Sequence, residues 1–526
     1  MTIPGDISFK VKRGSFPKKG CKALFVSVFS DELPPKPFPK TVERFIGPVI
    51  KRLHVEGEIK GSFKEFTIER LENAPFRWLM LIGLGKKKDY CLDKIRSVAA
   101  RAARTLRRIG CDQMTVVPGT FPDFSVERVA EVITEGIILG LYKFEKFRSK
   151  LPKRSCLQNV MFLVDNTADE KAVKTGVCRG ELLGRAANTV RDLINTPGNI
   201  LTPPVLVETA RSVADKTGLD IEVFDQDELE RRGMNGILNV AKGSRQPPFL
   251  VTLKYRGAKR SAAPWLALLG KGITFDTGGI SLKRSQGMQR LKYDMAGAAT
   301  VLTTLEVVTK LGLPVNLMAI MPIAENMPDG GAYKPGDVIK MYNGMYVEIS
   351  DTDAEGRLLL ADALTHAVKE GASVLVDVAT LTGSVVSALG HMATGVMGRP
   401  TELIRTFIEA GKKCDEYAWR LPLMPEYAVQ LKSLIADIRN EGGRPAGASI
   451  GGMFLGNFTG GLPWVHADIV GTAWIDENSF MYYHKSYLPK RGATGVMART
   501  LINFVELMIP HLASKKKLAE FDTEEF

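Results

Sequence analysis

Short apolar runs alternate with longer amphipathic segments along most of the chain. Apolar runs of about 4–8 residues between turn-forming residues are typical of buried strands, whereas an apolar residue at every third or fourth position is typical of a helix. The predicted strands are 22–29, 78–83, 161–164, 265–269, 316–323 and 373–379, and the predicted helices are 95–109, 169–192, 298–311 and 358–369. This alternation predicts an α/β protein whose C-terminal part has a mostly parallel central sheet flanked by helices.

The longest helical pattern covers residues 169–192 and ends at the chain-breaking sequence NTPG, residues 195–198. We interpret it as a helix that links two domains. The prediction is an N-terminal α/β domain over residues 1–167, a linker helix over 168–193 and a second α/β domain over 194–526. A chain of 526 residues is expected to form two or three domains.

The composition is that of a soluble globular protein with an excess of basic residues. Lysine and arginine number 71 against 58 aspartate and glutamate residues, which gives a net charge of +13. A basic surface attracts nucleic acids, but the sequence contains none of the usual nucleic-acid-binding signatures, so a lysine-rich solvated surface is the simpler interpretation. Nucleic acid is therefore not predicted as the main partner, and only secondary binding through the basic surface is left open.

Cysteine usage and hydropathy predict the compartment. The six cysteines are scattered without a CxxC pair, which fits free thiols in a reducing environment. The first residues lack the apolar run of a secretory signal, and no apolar stretch approaches the roughly 20 residues that cross a bilayer. The sequence thus predicts a cytoplasmic protein that does not bind membranes.

Four acidic residues stand at the ends of predicted elements. Asp276 follows a predicted strand, and Asp294, Asp353 and Glu355 each precede a predicted helix. Singly, each acid before a helix is explained as a cap that opposes the helix dipole. Together they are expected on one rim of the sheet, where four carboxylates would repel one another strongly. Two divalent cations would relieve that repulsion, and metal pairs about 3.5–4 Å apart activate water in many hydrolases.

The residue types near these acids exclude several common enzyme classes. The motif HExxH is absent and none of the six histidines lies among the four acids, which excludes a conventional zinc metalloprotease. No GxSxG motif supports a serine nucleophile, and the spacing around Lys271 is wrong for a Walker A loop. Ligands rich in oxygen suit Mn, Mg, Co or Zn.

The motifs around the acids closely resemble those of the leucine aminopeptidase family. The matching segments are GKGITFDTGGISLK (270–283), KYDMAGA (292–298), DTDAEGRLLLADAL (351–364), DVATLTG (377–383) and NEGGRPAGASIGGMFL (440–455), with looser matches at 140–150 and 192–203. The resemblance covers most of residues 140–505 and is weak before residue 140. It implies a leucyl aminopeptidase, a metalloprotease and hydrolase whose catalytic domain is the predicted domain 194–526.

The resemblance implies two divalent metal ions per subunit, Mn or Zn, with Co or Mg as alternatives. Asp276 and Glu355 would bridge both ions, Lys271 and Asp294 would complete the readily exchanged site, and Asp353 would complete the other. Lysine binds a metal only as the neutral amine, and two neighbouring dications would lower its pKa enough for that.

The same resemblance implies two catalytic residues. Lys283 would polarise the scissile carbonyl and stabilise the oxyanion. Arg357 would hold a bicarbonate ion that acts as the general base. An alternative for both residues, and for Lys271, is that they merely neutralise the surrounding carboxylates.

Substrate contacts and assembly are also implied by the family. The substrate backbone would lie against Thr380, Leu381 and Gly383. The small or apolar residues expected to line the first specificity pocket, which suit leucine-like side chains but would also pack as core, are Leu291, Thr380, Gly383, Val470 and Ala473. The family forms homohexamers, so a closed symmetric oligomer is expected.

The sequence departs from the family pattern in several places. Position 351 is Asp where the family usually has Asn; it would either tune metal affinity or cap the local turn. Residues 475–493 look longer than the usual segment, and the role of the first 140 residues stays open.

The alternative functions are a binding protein for nucleic acid without enzymatic activity and a two-metal phosphoesterase. The second lacks the usual histidines, and Arg357 alone would be a thin phosphate clamp.

Overall fold

The computed structural model describes residues 7–14, 16, 22–33, 40–119, 121–150, 157–260, 262–476, 485–513 and 515–519. Contacts between residues divide the chain into two compact units. The first contains the described residues of 1–188 together with 485–490, and the second contains residues 189–476 and the described residues from 491 onwards. The predicted α/β class is confirmed, and the exact domain boundaries proposed from sequence stay a prediction.

The first unit is built on a six-stranded sheet with helices on both faces. Its elements are β1 (Ser8–Arg13), β2 (Ala23–Val28), α1 (Lys40–Val55), β3 (Phe66–Arg70), β4 (Trp78–Gly83), α2 (Leu92–Ile109), β5 (Gln113–Val116), α3 (Val126–Leu141), β6 (Asn159–Val164) and the start of α4 (Thr167–Asn195). The strand order is β1-β6-β5-β2-β4-β3, and all pairs are parallel except β3 with β4. One apolar core includes α2 and α3, and the other includes α1.

The segment 485–490 belongs to this first unit, although its sequence neighbours belong to the second. Tyr487 is buried, and its hydroxyl donates a hydrogen bond of 2.6 Å to Asp93 Oδ1. The guanidinium of Arg96 lies 5.4 Å from the centre of the Tyr487 ring, and Arg104 donates to the carbonyl of Leu488 at 2.7 Å. The longer segment predicted over 475–493 therefore packs in part against α2, while its residues 477–484 lie outside the described residues.

Helices and strands alternate along much of the second unit. Its elements up to residue 326 are α5 (Pro203–Thr217), β7 (Asp220–Phe224), α6 (Gln226–Arg232), α7 (Asn235–Ala241), β8 (Phe249–Arg256), β9 (Trp265–Gly270), β10 (Gly272–Asp276), α8 (Ala296–Leu311) and β11 (Asn316–Asn326). The remaining elements are β12 (Val338–Lys340), β13 (Tyr346–Glu348), α9 (Gly356–Lys369), β14 (Ala372–Ala379), α10 (Gly383–Leu389), β15 (Ala393–Arg399), α11 (Thr401–Lys413), β16 (Tyr417–Arg420), β17 (Ile438–Arg439), α12 (Gly447–Gly456), β18 (Trp464–Asp468), β19 (Trp474–Ile475), β20 (Gly492–Ala493), α13 (Ala498–Leu512) and α14 (Lys515–Leu518).

The central sheet of this unit is mostly parallel and buried on both faces, as predicted. Its order is β16-β15-β18-β14-β9-β11-β8-β7, with β10 paired to β11. The pairs β9–β11, β9–β14, β14–β18, β15–β16 and β10–β11 are parallel. Helices α5, α8, α11 and α13 pack on one face, and α7, α9 and α12 pack on the other. This double cover explains why β9, β11 and β14 are continuous apolar runs.

Each strand and helix predicted from the apolar pattern is present, with ends that differ by a few residues. Helix α4 covers the whole predicted linker, residues 168–193, and its role as a linker stays a prediction. Strand β11 extends three residues beyond the predicted end at 323, and this extension places Asn326 beside the site described next. None of the helices in the described ranges is long and apolar enough to cross a membrane.

Candidate active site

Four polar residues lie where neighbouring strands of the second sheet end. Lys271 follows β9, Asp276 is the last residue of β10, Thr380 follows β14, and Asp468 is the last residue of β18. Since β9, β14 and β18 are parallel neighbours, their carboxyl ends meet at one edge of the sheet. This edge is where ligands bind in open α/β sheets.

The acids that precede helices also reach this edge and do not cap their helices. The residue at the N-cap of α8 is Met295, whereas the carboxylate of Asp294 accepts a hydrogen bond of 2.7 Å from the hydroxyl of Thr380. Glu355 occupies the N-cap of α9 without a side-chain capping bond. The capping interpretation of Asp294 and Glu355 is therefore wrong, because both side chains turn into the cluster of charges.

Two lysines interleave with the four carboxylates. Lys271 Nζ lies 2.8 Å from Asp294 Oδ2 and 2.7 Å from Glu355 Oε1, and donates to the carbonyl of Thr380 at 2.9 Å. Lys283 Nζ lies 2.8 Å from Asp276 Oδ2 and forms a second short ion pair with Asp353. The structure thus brings together all five predicted metal ligands and Lys283.

Glycines make this close approach of lysine and backbone feasible. A Cβ atom on Gly356 would lie 2.6 Å from Cε of Lys271, so a larger residue there would displace the lysine. Gly278 and Gly279 have φ angles of +88° and +66°, which favour glycine, and they form the turn between Asp276 and Lys283. The glycine-rich sequence after β9 therefore serves the geometry of the charge cluster.

The cluster contains more carboxyl groups than ammonium groups. Four carboxylates face two ammonium groups, and burial raises the pKa of Asp294 to about 7 and that of Asp353 to about 8. Burial also raises the pKa of Glu355, and the nearby Asp276 adds to that shift. Burial opposes the charge of Lys271, but Asp294 and Glu355 outweigh it and raise its pKa. The site therefore favours additional positive charge.

Arg357 lies beside the cluster, in the first turn of α9, and is 6% exposed. One of its terminal nitrogens donates to the carbonyl of Asn440 at 2.6 Å, and its guanidinium lies 6.0 Å from the centre of the Phe454 ring. Its Nε atom is buried and has no hydrogen-bond partner among the described residues. Burial lowers the pKa of the guanidinium. A buried cation with an unused donor suits a small anion.

Sequence reasoning missed three residues that hold the ligands in place. Asn326 donates to Asp276 Oδ1 at 2.8 Å and to the carbonyl of Thr352 at 3.1 Å. The buried hydroxyl of Tyr333 donates to the same carbonyl at 2.8 Å. Asn440 donates to the carbonyl of Asp351 at 2.6 Å, across the turn that carries Asp353. Only Asn440 had a signal in the sequence, since it opens the matching segment 440–455.

Asp351, the unusual residue of its motif, has a local structural role. Its Oδ1 accepts the backbone N–H of Asp353 at 2.8 Å. An asparagine side chain has an oxygen in the same position and makes the same turn. Of the two interpretations from sequence, the structure shows the one in which residue 351 caps the turn.

The predicted substrate residues lie at the same sheet edge with unequal exposure. Gly383 is exposed, Leu291, Leu381 and Val470 are partly buried, and Thr380 is buried. Ala473 is 0% exposed and packs in the apolar core of this unit. The structure therefore leaves Ala473 little surface for a substrate, and the roles of all six residues stay predictions.

Comparison with known proteins agrees with this geometry. Residues 188–502 match the catalytic domain of the cytosol aminopeptidase family, and residues 26–151 match the N-terminal domain of the same family. The chain belongs to the cytosol aminopeptidase family. It is therefore a metallo-exopeptidase, a hydrolase that removes N-terminal residues with the help of divalent metal. The motif resemblance looked weak before residue 140, but the match over residues 26–151 shows that this part of the chain also corresponds to the family.

Individual relatives cover nearly the whole chain. A probable cytosol aminopeptidase of Alkaliphilus metalliredigens (strain QYMF) is 39% identical over 89% of this chain and 93% of its own length. That of Roseiflexus castenholzii (strain DSM 13941 / HLO8) is 40% identical over 91% of this chain and 95% of its own. Among solved structures, the bottromycin maturation enzyme BotP, also solved in complex with Mn, matches with a TM-score of 0.80, 30% identity, and coverage of 93% and 100%.

The residues at the sheet edge fit the divalent metal ions that the family uses. Asp276, Asp353 and Glu355 each offer a carboxylate oxygen, and these oxygens lie within 4.8 Å of one another. Glu355 Oε2 is buried and makes no hydrogen bond within the described part of the chain. Oxygen atoms without hydrogen-bond donors, in a cluster whose carboxyl groups outnumber its ammonium groups, are the ligands that hard cations prefer.

A second group of residues has a similar spacing but a different charge balance. Glu222, His366 and Glu370 also offer ligand atoms within 4.8 Å of one another. The carboxylate of Glu370 is already paired with Lys254 Nζ at 2.7 Å, and His366 Nε2 lies 3.2 Å from the hydroxyl of Thr252. None of these three residues is a predicted site residue, and the group is the natural reference for the first cluster.

Proposed function

We propose that the protein releases N-terminal amino acids, with leucine-type side chains preferred, from peptides at the edge formed by β9, β14 and β18. The observation that carries the proposal is the cluster of Asp276, Asp353 and Glu355, which lies largely buried and whose carboxyl groups outnumber their lysine partners. The residues that would hold two divalent ions are Lys271, Asp276, Asp294, Asp353 and Glu355. Two such ions supply an activated water and a binding point for the free amino group of the substrate.

Lys283 is proposed to polarise the scissile carbonyl. Its ammonium group is held between Asp276 and Asp353, and its side chain is 25% exposed, so it can reach a substrate at the mouth of the site. An ammonium group aimed at the developing oxyanion stabilises the transition state more than the ground state. The ion pairs of Lys271 and Lys283 also fit the alternative that both lysines neutralise carboxylates, and an experiment has to separate the two roles.

Arg357 is proposed to hold a bicarbonate ion that accepts the proton of the attacking water. The unused Nε donor and the burial of the guanidinium support this role. A proton acceptor is needed because the four carboxylates are committed to metal binding in the proposal. The proposal also includes Mn or Zn as the native metal, with Co or Mg as alternatives, and a homohexamer, all of which come from the family resemblance. It further includes a cytoplasmic location, which comes from the cysteine and hydropathy patterns.

The substitution Lys283→Ala tests the catalytic proposal. We expect it to keep two metal ions per chain and to lower the turnover of leucine amide by about 100–1,000-fold, the cost of losing one oxyanion donor. Arg284→Ala, which changes the neighbouring exposed side chain, is the matched control and should keep wild-type turnover. Loss of bound metal together with turnover in Lys283→Ala would assign Lys283 a structural role instead.

The reaction class is tested with protein stripped of metal and reloaded with Mn, Co, Zn or Mg. Leucine amide and a phosphate ester are offered side by side. Hydrolysis of the amide alone is expected, and hydrolysis of the ester alone would favour the phosphoesterase alternative.

A mobility shift at physiological salt tests secondary nucleic-acid binding, since purely electrostatic attraction weakens strongly with salt.

A further inference from the structure

Asp468 ends β18 in the middle of the sheet and is 0% exposed. The register places it beside Ala379, the last residue of β14. A carboxylate at this depth is costly unless its oxygens accept hydrogen bonds. Asp468 satisfies both of its oxygens within its own unit, and the donors that satisfy them belong to two different loops.

The first loop follows β14. Asp468 Oδ2 accepts the backbone N–H of Thr382 at 3.0 Å and its hydroxyl at 2.6 Å, and Oδ1 accepts the N–H of Leu381 at 3.2 Å. The hydroxyl of Thr382 in turn accepts the N–H of Val385 at 3.3 Å and so starts helix α10. One carboxylate thereby holds the backbone of Leu381 and Thr382, in the segment proposed to lie against the substrate backbone.

The second loop follows β18 itself. Oδ1 of Asp468 also accepts the N–H of Val470, at 3.3 Å. Val470 is proposed to line the first specificity pocket and is partly buried. The carboxylate of Asp468 therefore holds both loops. The distance between the substrate-backbone segment and one wall of the pocket depends on this carboxylate.

We propose that Asp468 is a positioning residue that holds the Leu381–Thr382 backbone and Val470 in register, and so determines how tightly the N-terminal residue of a peptide is bound. The inference rests on the proposed function, because the roles of Leu381 and Val470 come from it. Only a carboxylate suits the position. An amide would turn an NH₂ group towards backbone N–H groups that need an acceptor, and would break the bonds at one of the two oxygens.

The test is the isosteric substitution Asp468→Asn, with Asp377→Asn as the control. Asp377 is also a fully buried acid on a central strand, but its partners are His466 at 2.5 Å and Trp464 at 2.7 Å, and neither residue belongs to the proposed site. For Asp468→Asn we expect KM for leucine amide to rise more than tenfold, kcat to change less than threefold, and two bound metal ions to remain. The control should leave KM within about twofold.

A second variant keeps the inference testable if Asp468→Asn does not fold. Thr382→Val removes only the hydroxyl bond to Asp468 and that to Val385, and should raise KM by a smaller factor with kcat retained. The ratio of kcat/KM for leucine amide to that for alanine amide should fall in Asp468→Asn, because the wall formed by Val470 loosens, and should fall less in Thr382→Val, which keeps the bond from Val470 to Asp468.

An unchanged KM and an unchanged ratio, in variants that fold, would overturn the inference. A fall in kcat with loss of metal would also overturn it, since Asp468 would then act on the metal site. Failure of the proposed function gives a different result. Wild-type protein that cleaves no N-terminal residue with any of the four metals would overturn both.

Discussion

The two groups of potential metal ligands in the second unit differ in charge rather than in spacing. Asp276, Asp353 and Glu355 and the group of Glu222, His366 and Glu370 satisfy the same 4.8 Å criterion. In the second group Lys254 already neutralises Glu370. Burial lowers the pKa of His366, and the positive charges of Arg232 and Lys369 add to that shift. We therefore expect an excess of buried carboxyl groups over cations, rather than proximity of ligand atoms alone, to mark a metal site.

The largest expected effect comes from removing one carboxylate from each group. Glu355→Gln should lose bound metal and lower turnover of leucine amide by about 1,000-fold, above the 10–100-fold typical of residues that only support metal ligands. Glu370→Gln should keep both. Metal content after dialysis and initial rates measure the two effects. Equal metal loss in both variants would mean that an excess of carboxyl groups does not distinguish the groups.

A smaller effect is expected when the pH is lowered, and it comes from His366 of the second group. Burial lowers the pKa of His366 to about 4, below that of the unfolded chain near 6.5. Between these two values the unfolded chain binds more protons, so the free energy of unfolding should fall as pH decreases from 6.5 to 4, by up to about 1.4 kcal/mol per pH unit. Above pH 6.5 this contribution is fully present.

His366→Gln should flatten that pH dependence. The measurement is urea unfolding of wild-type and variant protein at several pH values in the presence of chelator, and the informative quantity is the difference between the two curves. Parallel curves would show that folding does not lower the pKa of His366, and the contrast between the neutral histidine group and the acidic cluster would then be lost.

The smallest effect is expected for Asp351→Asn. The oxygen that accepts the N–H of Asp353 is retained, so the free energy of unfolding should change by less than about 0.5 kcal/mol. One negative charge near the cluster is lost, and metal affinity should fall less than tenfold. Thermal denaturation and metal titration check these two values. A large loss of stability would mean that the second oxygen of Asp351 has a structural role.

Residue type and position in the sequence predicted the first cluster well. Asp276, Asp294, Asp353 and Glu355 come together because parallel strands end at one edge, which is a property of the fold class. Lys271 and Lys283 form ion pairs with these acids, as expected if the two lysines neutralise the carboxylates. The predicted strands and helices were found for a similar reason, since buried apolar runs depend on local pattern.

The supporting residues could not be predicted in the same way. Asn326 lies at the end of an apolar strand, and its contact with Asp276 depends on the pairing of β10 with β11. Asp468 accepts hydrogen bonds from two loops that are separated by more than 80 residues of sequence. Such hydrogen bonds require the tertiary structure, and a single sequence without a structure gives no signal for them.

The burial of Tyr487 in the first unit has a consequence for how the chain is made. Asp93 and Arg96 are synthesised early, but the ring that covers them is added about 300 residues after the end of the unit's main segment at residue 188. At about 5–20 residues per second, that interval is on the order of 15–60 s of translation. The first unit emerges from the ribosome with this part of α2 uncovered, and it becomes complete only after residue 490 has been synthesised.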